Sequence, residues 1–305
     1  MKTNSFISRF CLVMFLASSL AAQDKAEPPV AGTAKWVNVV PPSIKADPAL
    51  THGTFFSKAN TTDIGYFVAL PRGYDAPDAK ARRFPVIYYL HGGNGNEGRG
   101  VQGYPSLRPM LTSEDYPAAF FVVVNGGNPN YIDTADSKGG TGFIELVAHI
   151  DRTYRTIAAP EGRVMLGHSM GGRATGRIIL KHPKLIGTGV AMSGGHQREK
   201  SMSETGAGGR GESKLINAKD NSWDNATLYA NRAGAPKIRL MVVVGDKDSN
   251  YQPNLDWCAH LTKLKIPHEL VVVPGAGHGI DLKIQNTDRR VFGFIADSLK
   301  HISNN

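Results

Sequence analysis

A serine stands at the centre of the segment Gly167-His168-Ser169-Met170-Gly171, which fits the pattern G-x-S-x-G. An apolar run, Val164–Leu166, comes directly before this segment, and a helical pattern from Arg173 to Leu180 follows it. A strand, a sharp turn and a helix in this order lift the serine hydroxyl to the N-terminus of the helix, where backbone N–H groups face developing negative charge. We therefore predict that Ser169 is a nucleophile.

A serine hydroxyl needs a base to remove its proton, and the base needs an acid that fixes its tautomer. His278 ends a glycine-containing loop, Pro274–Gly277, that follows an apolar run, and we predict that it is the base. Two carboxylates, Asp246 and Asp248, follow another apolar run. Asp248 lies further into its loop and is the predicted acid, whereas Asp246 is the alternative and is otherwise a turn residue that caps the loop.

A second glycine-rich loop, His91-Gly92-Gly93-Asn94-Gly95, follows a further apolar run. Its glycines allow backbone N–H groups to approach an anionic oxygen, so we predict one oxyanion donor at the Gly93 N–H, with Gly92 or Asn94 as alternatives. The second predicted donor is the N–H of Met170, the residue after the nucleophile. The loop lacks the G-K-[ST] ending of a phosphate-binding P-loop and the spacing of a dinucleotide fingerprint.

These loops connect elements of one predicted sheet. Continuous apolar runs alternate with helical patterns, which predicts an α/β fold with a mostly parallel central sheet and helices on both faces. Two early strands, near 52–57 and 63–70, have no helix between them and are predicted to form an antiparallel edge. The stretch from Gly194 to Ala235 is rich in Gly, Ser and Asn and is predicted to be a long loop. The other predicted strands are 85–90, 119–124, 163–167, 187–192, 238–244 and 269–273, and the helical patterns cover 143–150, 173–180, 255–264 and 291–299.

The first 22 residues resemble a secretory signal peptide. Lys2 and Arg9 precede a short apolar run, which ends in a stretch of small residues with cleavage expected after Ala21 or Ala22. Cleavage removes two basic residues and no acidic one, so the net charge falls from +9 to +7. We expect an exported protein, periplasmic or secreted, without a membrane-spanning segment in the mature chain.

The rest of the chain divides into two parts. Residues 23–50 are rich in proline and are predicted to form an arm, whereas residues 51–305 form the predicted catalytic domain. The chain is 41% hydrophobic and 20% charged, which suits a globular core and excludes a disordered tail.

Composition also bounds the partners. Two cysteines exclude a disulfide scaffold and a cysteine-rich zinc site, and no group of residues has the spacing of metal ligands, so we expect no metal and no cofactor. The basic residues are scattered rather than arranged in a stripe, which argues against a nucleic-acid partner.

Taken together, these motifs resemble the esterase D and feruloyl esterase-like group of α/β-hydrolases, which includes acetylxylan and enterochelin esterases. The resemblance extends from about His52 to Ile302. It rests on the segments Ala69-Leu70-Pro71-Arg72-Gly73-Tyr74, Phe84-Pro85-Val86-Ile87-Tyr88-Tyr89-Leu90-His91-Gly92, Val124-Asn125-Gly126-Gly127, Glu145–Thr156, Gly167-His168-Ser169-Met170-Gly171-Gly172, Gly245-Asp246-Lys247-Asp248 and Pro274-Gly275-Ala276-Gly277-His278.

The resemblance implies an α/β-hydrolase with the catalytic acid at Asp248 and with feruloyl or acetyl esters of plant polysaccharides as substrates. Close alternatives are hydrolysis of siderophore esters or polyesters, and acyl transfer to an alcohol. An alternative of another class is a catalytically silent hydrolase fold that binds carbohydrate. The side chains expected to contact substrate are His168, Asn125, Tyr131 and Trp223, the last of which is otherwise a packing anchor for its loop.

Overall fold

The computed structural model describes residues 35–93, 95–127, 131–134, 137–205, 220–279, 284, 287 and 289–300. The predicted signal peptide lies outside these residues. The strands are β1 (Leu50–Ser57), β2 (Thr62–Ala69), β3 (Val86–Leu90), β4 (Phe120–Val124), β5 (Arg163–His168), β6 (Thr188–Met192), β7 (Arg239–Gly245) and β8 (Glu269–Val273). The helices are α1 (Glu97–Gly100), α2 (Tyr104–Thr112), α3 (Gly139–Thr153), α4 (Met170–Lys181), α5 (His196–Thr205), α6 (Ser222–Ala230), α7 (Tyr251–Lys263) and α8 (Arg290–Lys300).

The eight strands form one sheet in the order β1-β2-β4-β3-β5-β6-β7-β8. All neighbours from β4 to β8 pair in parallel, whereas β1 pairs antiparallel with β2, and β2 pairs antiparallel with β4. The predicted antiparallel edge and mostly parallel sheet are therefore confirmed. In a parallel sheet all carboxyl ends lie at one edge, so the loops after β3, β5, β6, β7 and β8 meet there.

Successive side chains of a strand point to opposite faces, and both faces of this sheet are covered. Val86, Tyr88 and Leu90 of β3 pack with residues of α3, α4 and α7 in one buried cluster. Ile87 and Tyr89 of the same strand pack with residues of α2 and α8 in the other. Burial on both faces explains why the strands are continuous apolar runs.

The structure corrects two predictions, one about the segment before β1 and one about the region 194–235. Residues 35–49 are not a separate arm, because Trp36 is buried in the core and its carbonyl accepts a 2.7 Å hydrogen bond from the Gly65 N–H of β2. The region 194–235 is not a continuous loop, because it contains α5 and α6 on either side of residues 206–219, which the structure does not describe.

No helix among the described residues has both the length and the apolar character that a bilayer crossing requires.

Candidate active site

Ser169 occupies the turn between β5 and α4 with a φ of 56°, in the left-handed region. Two backbone hydrogen bonds hold this turn: the Ser169 N–H donates to Met192 O (2.8 Å), and the Arg173 N–H donates to Ser169 O (3.1 Å). A non-glycine residue with positive φ is strained, and such strain persists where the surrounding structure fixes it. The turn therefore holds the Ser169 side chain at the carboxyl edge of the sheet.

The flanking glycines are required because backbone passes next to each of them. A Cβ on Gly171 would lie 2.1 Å from Leu90 O, and a Cβ on Gly167 would lie 2.1 Å from Gly171 O. Either side chain would push α4 away from the sheet. The G-x-S-x-G spacing is thus explained by packing, and the packing in turn positions Ser169.

Three side chains from three separate loops form a continuous hydrogen-bonded chain. The Ser169 hydroxyl donates to His278 Nε2 (2.8 Å), and His278 Nδ1 donates to Asp248 Oδ1 (2.9 Å). The Asp248 side chain is completely buried and the His278 side chain is 43% exposed, so the chain of hydrogen bonds runs from a buried carboxylate towards the surface. This arrangement can transfer a proton from a serine hydroxyl to an imidazole that a carboxylate orients.

Asp248 is buried, and both of its carboxylate oxygens accept hydrogen bonds in addition to the contact with His278. Oδ1 also accepts from the Asn250 N–H (2.9 Å), and Oδ2 accepts from the Ser193 hydroxyl (2.5 Å). Burial alone raises the pKa of Asp248, but the hydrogen bonds from His278, Ser193 and Asn250 outweigh burial and hold that pKa well below its ordinary value. The carboxylate is therefore ionised wherever the fold is intact near neutral pH.

Asp246 faces a different partner. Its Oδ1 accepts a 2.7 Å hydrogen bond from the Gly275 N–H of the loop after β8, and its own N–H donates to Val273 O. Asp246 thus ties the loop that carries Asp248 to the loop that carries His278, and the structure brings Asp248 rather than Asp246 to the imidazole.

The loop after β3 passes beside the serine. A Cβ on Gly92 would lie 3.4 Å from Ser169 Cβ, whereas Gly93 is exposed and a Cβ there would meet nothing within 4 Å. Met170 is the first residue of α4, where backbone N–H groups have no acceptor within the helix. The Met170 N–H therefore lies at the N-terminus of α4, directly after Ser169, and the Gly93 N–H lies on the loop after β3 that passes beside Ser169. Asn94, an alternative donor, lies outside the described residues.

Two predicted substrate contacts are corrected, because the side chains point inward. The Asn125 amide donates to Glu97 Oε2 (2.8 Å) and to Trp36 O (2.9 Å), and Asn125 is 4% exposed. The Tyr131 hydroxyl donates to His91 O (3.2 Å) beneath the glycine loop, and burial raises the pKa of Tyr131. Both residues support the loop rather than line an open cleft.

His168 contacts the loop after β8, which carries His278. Its Nε2 lies 2.6 Å from His278 O, so the ring donates to the backbone of the residue whose side chain serves Ser169. The two imidazole rings have centroids 5.0 Å apart. The contact seen for His168 is therefore with the loop that carries His278.

The structure corrects the predicted location of Trp223, which lies in α6 rather than in a loop. Its ring centroid is 4.7 Å from that of His260, and the Lys200 ammonium lies 5.1 Å from the centre of the indole ring. The ring packs against the core, which supports the alternative of a packing anchor.

Two residues at this edge of the sheet were not predicted. Ser193 follows β6 and contacts Asp248, and its position directly after a strand in Ser193-Gly194-Gly195 was the available signal. Glu97 follows the glycine loop and is completely buried, and its partners are distant in sequence, so nothing local pointed to it. Among the described residues, no three His, Cys, Asp or Glu side chains come together in a way that could hold a metal ion.

Part of the chain is similar to known protein sequences. Residues 136–301, just over half of the chain, match the model of the prolyl oligopeptidase family. An endo-1,4-beta-xylanase/feruloyl esterase of Xylanibacter ruminicola is 33% identical over 152 residues, which is 47% of this chain and 21% of that protein. An esterase of Mycobacterium tuberculosis is 26% identical over 143 residues, 45% of this chain and 30% of that protein. The chain thus spans between a fifth and a third of the length of these curated relatives.

Similarity to solved structures covers more of the chain. A ferulic acid esterase superposes with a TM-score of 0.66 at 20% identity and covers 82% of this chain and 98% of its own. A fluorophosphonate-binding serine hydrolase F of Staphylococcus aureus superposes with a TM-score of 0.67 at 16% identity, with the same coverage.

The fold is that of the α/β-hydrolases, as predicted. Within that class the chain belongs to the prolyl oligopeptidase family. The predicted resemblance to feruloyl esterase-like proteins is also confirmed, in sequence by the Xylanibacter relative and in fold by the ferulic acid esterase.

Proposed function

We propose that this chain is an exported serine carboxylic-ester hydrolase that acts through an acyl-enzyme on feruloyl or acetyl esters of plant polysaccharides. The observation that carries the proposal is the hydrogen-bonded chain from Asp248 through His278 to Ser169. A fold that only bound carbohydrate would have no need for a base oriented by a carboxylate beside a serine hydroxyl.

In the first half of the reaction, Ser169 Oγ attacks the ester carbonyl carbon while His278 Nε2 takes the hydroxyl proton. Asp248 keeps the Nδ1 proton in place and stabilises the imidazolium that forms. The N–H groups of Gly93 and Met170 donate to the oxygen that becomes negative in the tetrahedral intermediate. When the intermediate collapses, the bond to the alcohol oxygen breaks, and His278 delivers its proton to that oxygen.

In the second half, water replaces the alcohol. His278 removes one proton from the water as its oxygen attacks the acyl carbon, and it returns that proton to Ser169 Oγ when the acyl–oxygen bond breaks. The products are a carboxylic acid and the free enzyme. In its neutral form, His278 carries its proton on Nδ1, where it faces Asp248. This tautomer leaves Nε2 able to accept the proton of Ser169 or of water.

The substrate class is supported by the relatives. The 33% identical relative is named for xylanase and feruloyl esterase activities, and the Mycobacterium relative is named as an esterase. The family model is named for peptide hydrolysis, so an amide substrate is the second candidate. The basic leader, apolar run and small-residue stretch in residues 1–22 support export.

The test is a substrate panel with a matched inactive variant. Purified wild-type protein and Ser169→Ala are assayed on p-nitrophenyl acetate, methyl ferulate, acetylated xylan, a siderophore ester, an aliphatic polyester and a prolyl p-nitroanilide, with an alcohol acceptor added in one series. We expect turnover of the acetyl and feruloyl esters, and a loss of about 10⁴-fold or more in Ser169→Ala with an unchanged thermal melt.

Each other pattern changes the proposal in a defined way. Preference for the siderophore ester or the polyester contradicts the plant-polysaccharide substrate, and product esters formed with the added alcohol contradict hydrolysis. Faster cleavage of the anilide than of every ester contradicts the esterase assignment. Binding of xylan by folded wild-type protein, without hydrolysis of any ester or of the anilide, contradicts enzymatic activity altogether.

A further inference from the structure

Ser193 stands at the carboxyl end of β6, one strand away from the nucleophile. It is completely buried and has a φ of 52°, so it adopts the left-handed conformation that strains a residue with a side chain. Its N–H donates to Val243 O of β7 (2.8 Å), and its carbonyl accepts from the Asn250 side-chain amide (2.9 Å). The backbone is therefore fixed from both sides, and the direction of the side chain is fixed with it.

The side chain is directed at the carboxylate of Asp248. The Ser193 hydroxyl donates to Oδ2 at 2.5 Å, while Oδ1 lies 2.9 Å from His278 Nδ1. Asn250 contacts both partners, since its backbone N–H donates to Asp248 Oδ1 and its side chain holds the Ser193 carbonyl. The two oxygens of Asp248 are thus held separately, one by Ser193 and one by His278 and Asn250.

We propose that Ser193 is a positioning residue for the catalytic acid: its hydroxyl holds Oδ2 of Asp248 so that Oδ1 faces His278 Nδ1. The inference rests on the proposed function, because it assigns Ser193 an effect on turnover that acts through Asp248. A rotating carboxylate would lose the alignment with the imidazole, and the loss would reach Ser169 through His278.

The geometry also explains why serine occupies a position that favours glycine. Glycine has no Cβ and adopts a φ of 52° without strain, and Gly194 and Gly195 follow directly. Serine is strained here, yet it supplies a hydroxyl to a buried carboxylate oxygen. A buried, charged oxygen left without that donor would reduce stability. The hydrogen bond to Asp248 therefore explains why a serine occupies this strained position.

The decisive variant is Ser193→Gly, because it removes the hydroxyl and relieves the backbone strain in one substitution. We expect it to fold, because the relieved strain offsets part of the cost of the lost hydrogen bond, and to lose about 10- to 100-fold in kcat, the loss expected for a hydrogen bond to a charged group. Thr61→Gly is the matched control, since Thr61 also has a positive φ, 51°, and its hydroxyl contacts only local backbone at the β1–β2 turn. It should keep wild-type kcat.

Two further readouts separate positioning from a merely structural role. In an Asp248→Asn background, adding Ser193→Gly should change kcat by less than about 3-fold, because the residue acts through the carboxylate that is already absent. In the single variant, the acidic side of the kcat/KM profile should move to lower pH, since a poorly held carboxylate stabilises the imidazolium less.

The inference and the proposed function fail in different ways. If Ser169→Ala is inactive while Ser193→Gly keeps wild-type kcat and pH profile, the role of Ser193 is overturned and the proposed function stands. If Ser193→Gly and Asp248→Asn multiply their losses in the double variant, Ser193 acts independently of the acid and the inference is also overturned. If Ser169→Ala keeps its activity, the proposed function itself is contradicted.

Discussion

Two buried carboxylates lie at the carboxyl edge of the sheet, and they differ in what surrounds them. The acid cluster consists of Asp248, Ser193, Asn250 and His278, and the anchor cluster consists of Glu97, Asn38, Asn125 and His52. Each contains a carboxylate, at least one asparagine and a histidine, so the presence of these three residue types does not distinguish them.

The difference lies in the histidine. Both ring nitrogens of His278 are within hydrogen-bond distance of a partner, Asp248 on one side and Ser169 on the other. In the anchor cluster, His52 Nε2 is 3.7 Å from Glu97 Oε1, beyond hydrogen-bond distance, and its ring packs on Phe67 with centroids 4.7 Å apart. A carboxylate near a histidine becomes a candidate for catalysis only when the histidine leads on to a nucleophile.

The carboxylates also differ in their pKa. Burial is the largest influence on Glu97 and raises its pKa, although hydrogen bonds from Asn38 act in the opposite direction. Hydrogen bonds outweigh burial at Asp248 and lower its pKa. Glu97 instead contacts Asn38, in the segment before β1, and Asn125, the residue after β4. Its role is to hold these two segments to the loop after β3.

The largest effect is expected when the negative charge of the acid cluster is removed. Asp248→Asn should lower turnover by about 10⁴-fold, because the neutral amide neither fixes the tautomer of His278 nor stabilises its imidazolium. Steady-state kinetics on p-nitrophenyl acetate and a thermal melt of the same preparation measure the effect. Near-normal turnover of Asp248→Asn would remove Asp248 from the proposed mechanism.

Glu97→Gln tests the anchor cluster in the same manner. The two oxygens of Glu97 accept from the Asn38 N–H, the Asn38 amide and the Asn125 amide, and glutamine would place an NH₂ group against one of these donors. We expect the free energy of unfolding to fall by about 3 kcal/mol, with turnover of the folded fraction within a few-fold of wild type. Urea unfolding measures the loss, and Glu161→Gln, at an exposed glutamate, is the control. A stable Glu97→Gln protein with turnover as low as Asp248→Asn would contradict the distinction between the clusters.

The glycine loop between the two clusters makes stability depend on pH. Burial lowers the pKa of His91 from 6.5 to about 4, and its Nδ1 contacts Gly92 O (2.9 Å). Between these pH values the unfolded chain binds a proton that the folded chain does not, so the free energy of unfolding falls as pH falls, by about 2 to 3 kcal/mol in total. Buried His196, whose pKa is also lowered, adds a slope of the same sign.

Denaturant unfolding at a series of pH values from 7 to 4 measures this slope. His91→Gln should flatten it by about one proton, whereas His268→Gln, at a partly exposed histidine, should leave it unchanged. An unaltered slope in His91→Gln would mean that His91 is not neutral in the folded protein.

Asp246→Asn is expected to have a smaller effect. Its side chain accepts one hydrogen bond from the Gly275 N–H, so we expect a loss of about 1 kcal/mol in stability and turnover within a few-fold of wild type. Thermal melts and kinetics recorded beside those of Asp248→Asn provide the check. A nearly inactive Asp246→Asn together with a nearly normal Asp248→Asn would reverse the assignment of the acid.

The smallest expected effect is that of a chelator. Dialysis against EDTA should leave ester hydrolysis unchanged, because the proposed reaction uses only side chains and backbone N–H groups. Loss of activity that is restored by added zinc or calcium would contradict this expectation.

The sequence was most informative where one local pattern determined the outcome. The central strands are mostly continuous apolar runs because both faces of the sheet are buried there, and Ser169, Asp248 and His278 each follow such a run, so their meeting at one edge could be inferred. Helix α5 gave no such signal, because its sequence HQREKSMSET contains almost no apolar residue to show a period.

Orientation was harder to infer than location. Asn125 and Tyr131 do lie beyond the carboxyl end of β4, as expected, but their side chains turn inward to Glu97 and to His91. The partners of Glu97 are 28 and 59 residues away in the chain, at Asn125 and Asn38. Contacts of that kind depend on how the segments pack, and no local pattern encodes them.

We propose Ser169 as a nucleophile activated by His278 and Asp248, and covalent labelling distinguishes such a serine from an ordinary hydroxyl group. A fluorophosphonate forms a bond between an activated serine oxygen and phosphorus with loss of fluoride, and intact mass followed by peptide mapping locates the adduct. We expect one adduct per chain, on Ser169, that forms far more slowly in Asp248→Asn and is absent from Ser169→Ala. Rapid labelling of another residue, or no labelling of the folded wild-type protein, would contradict it.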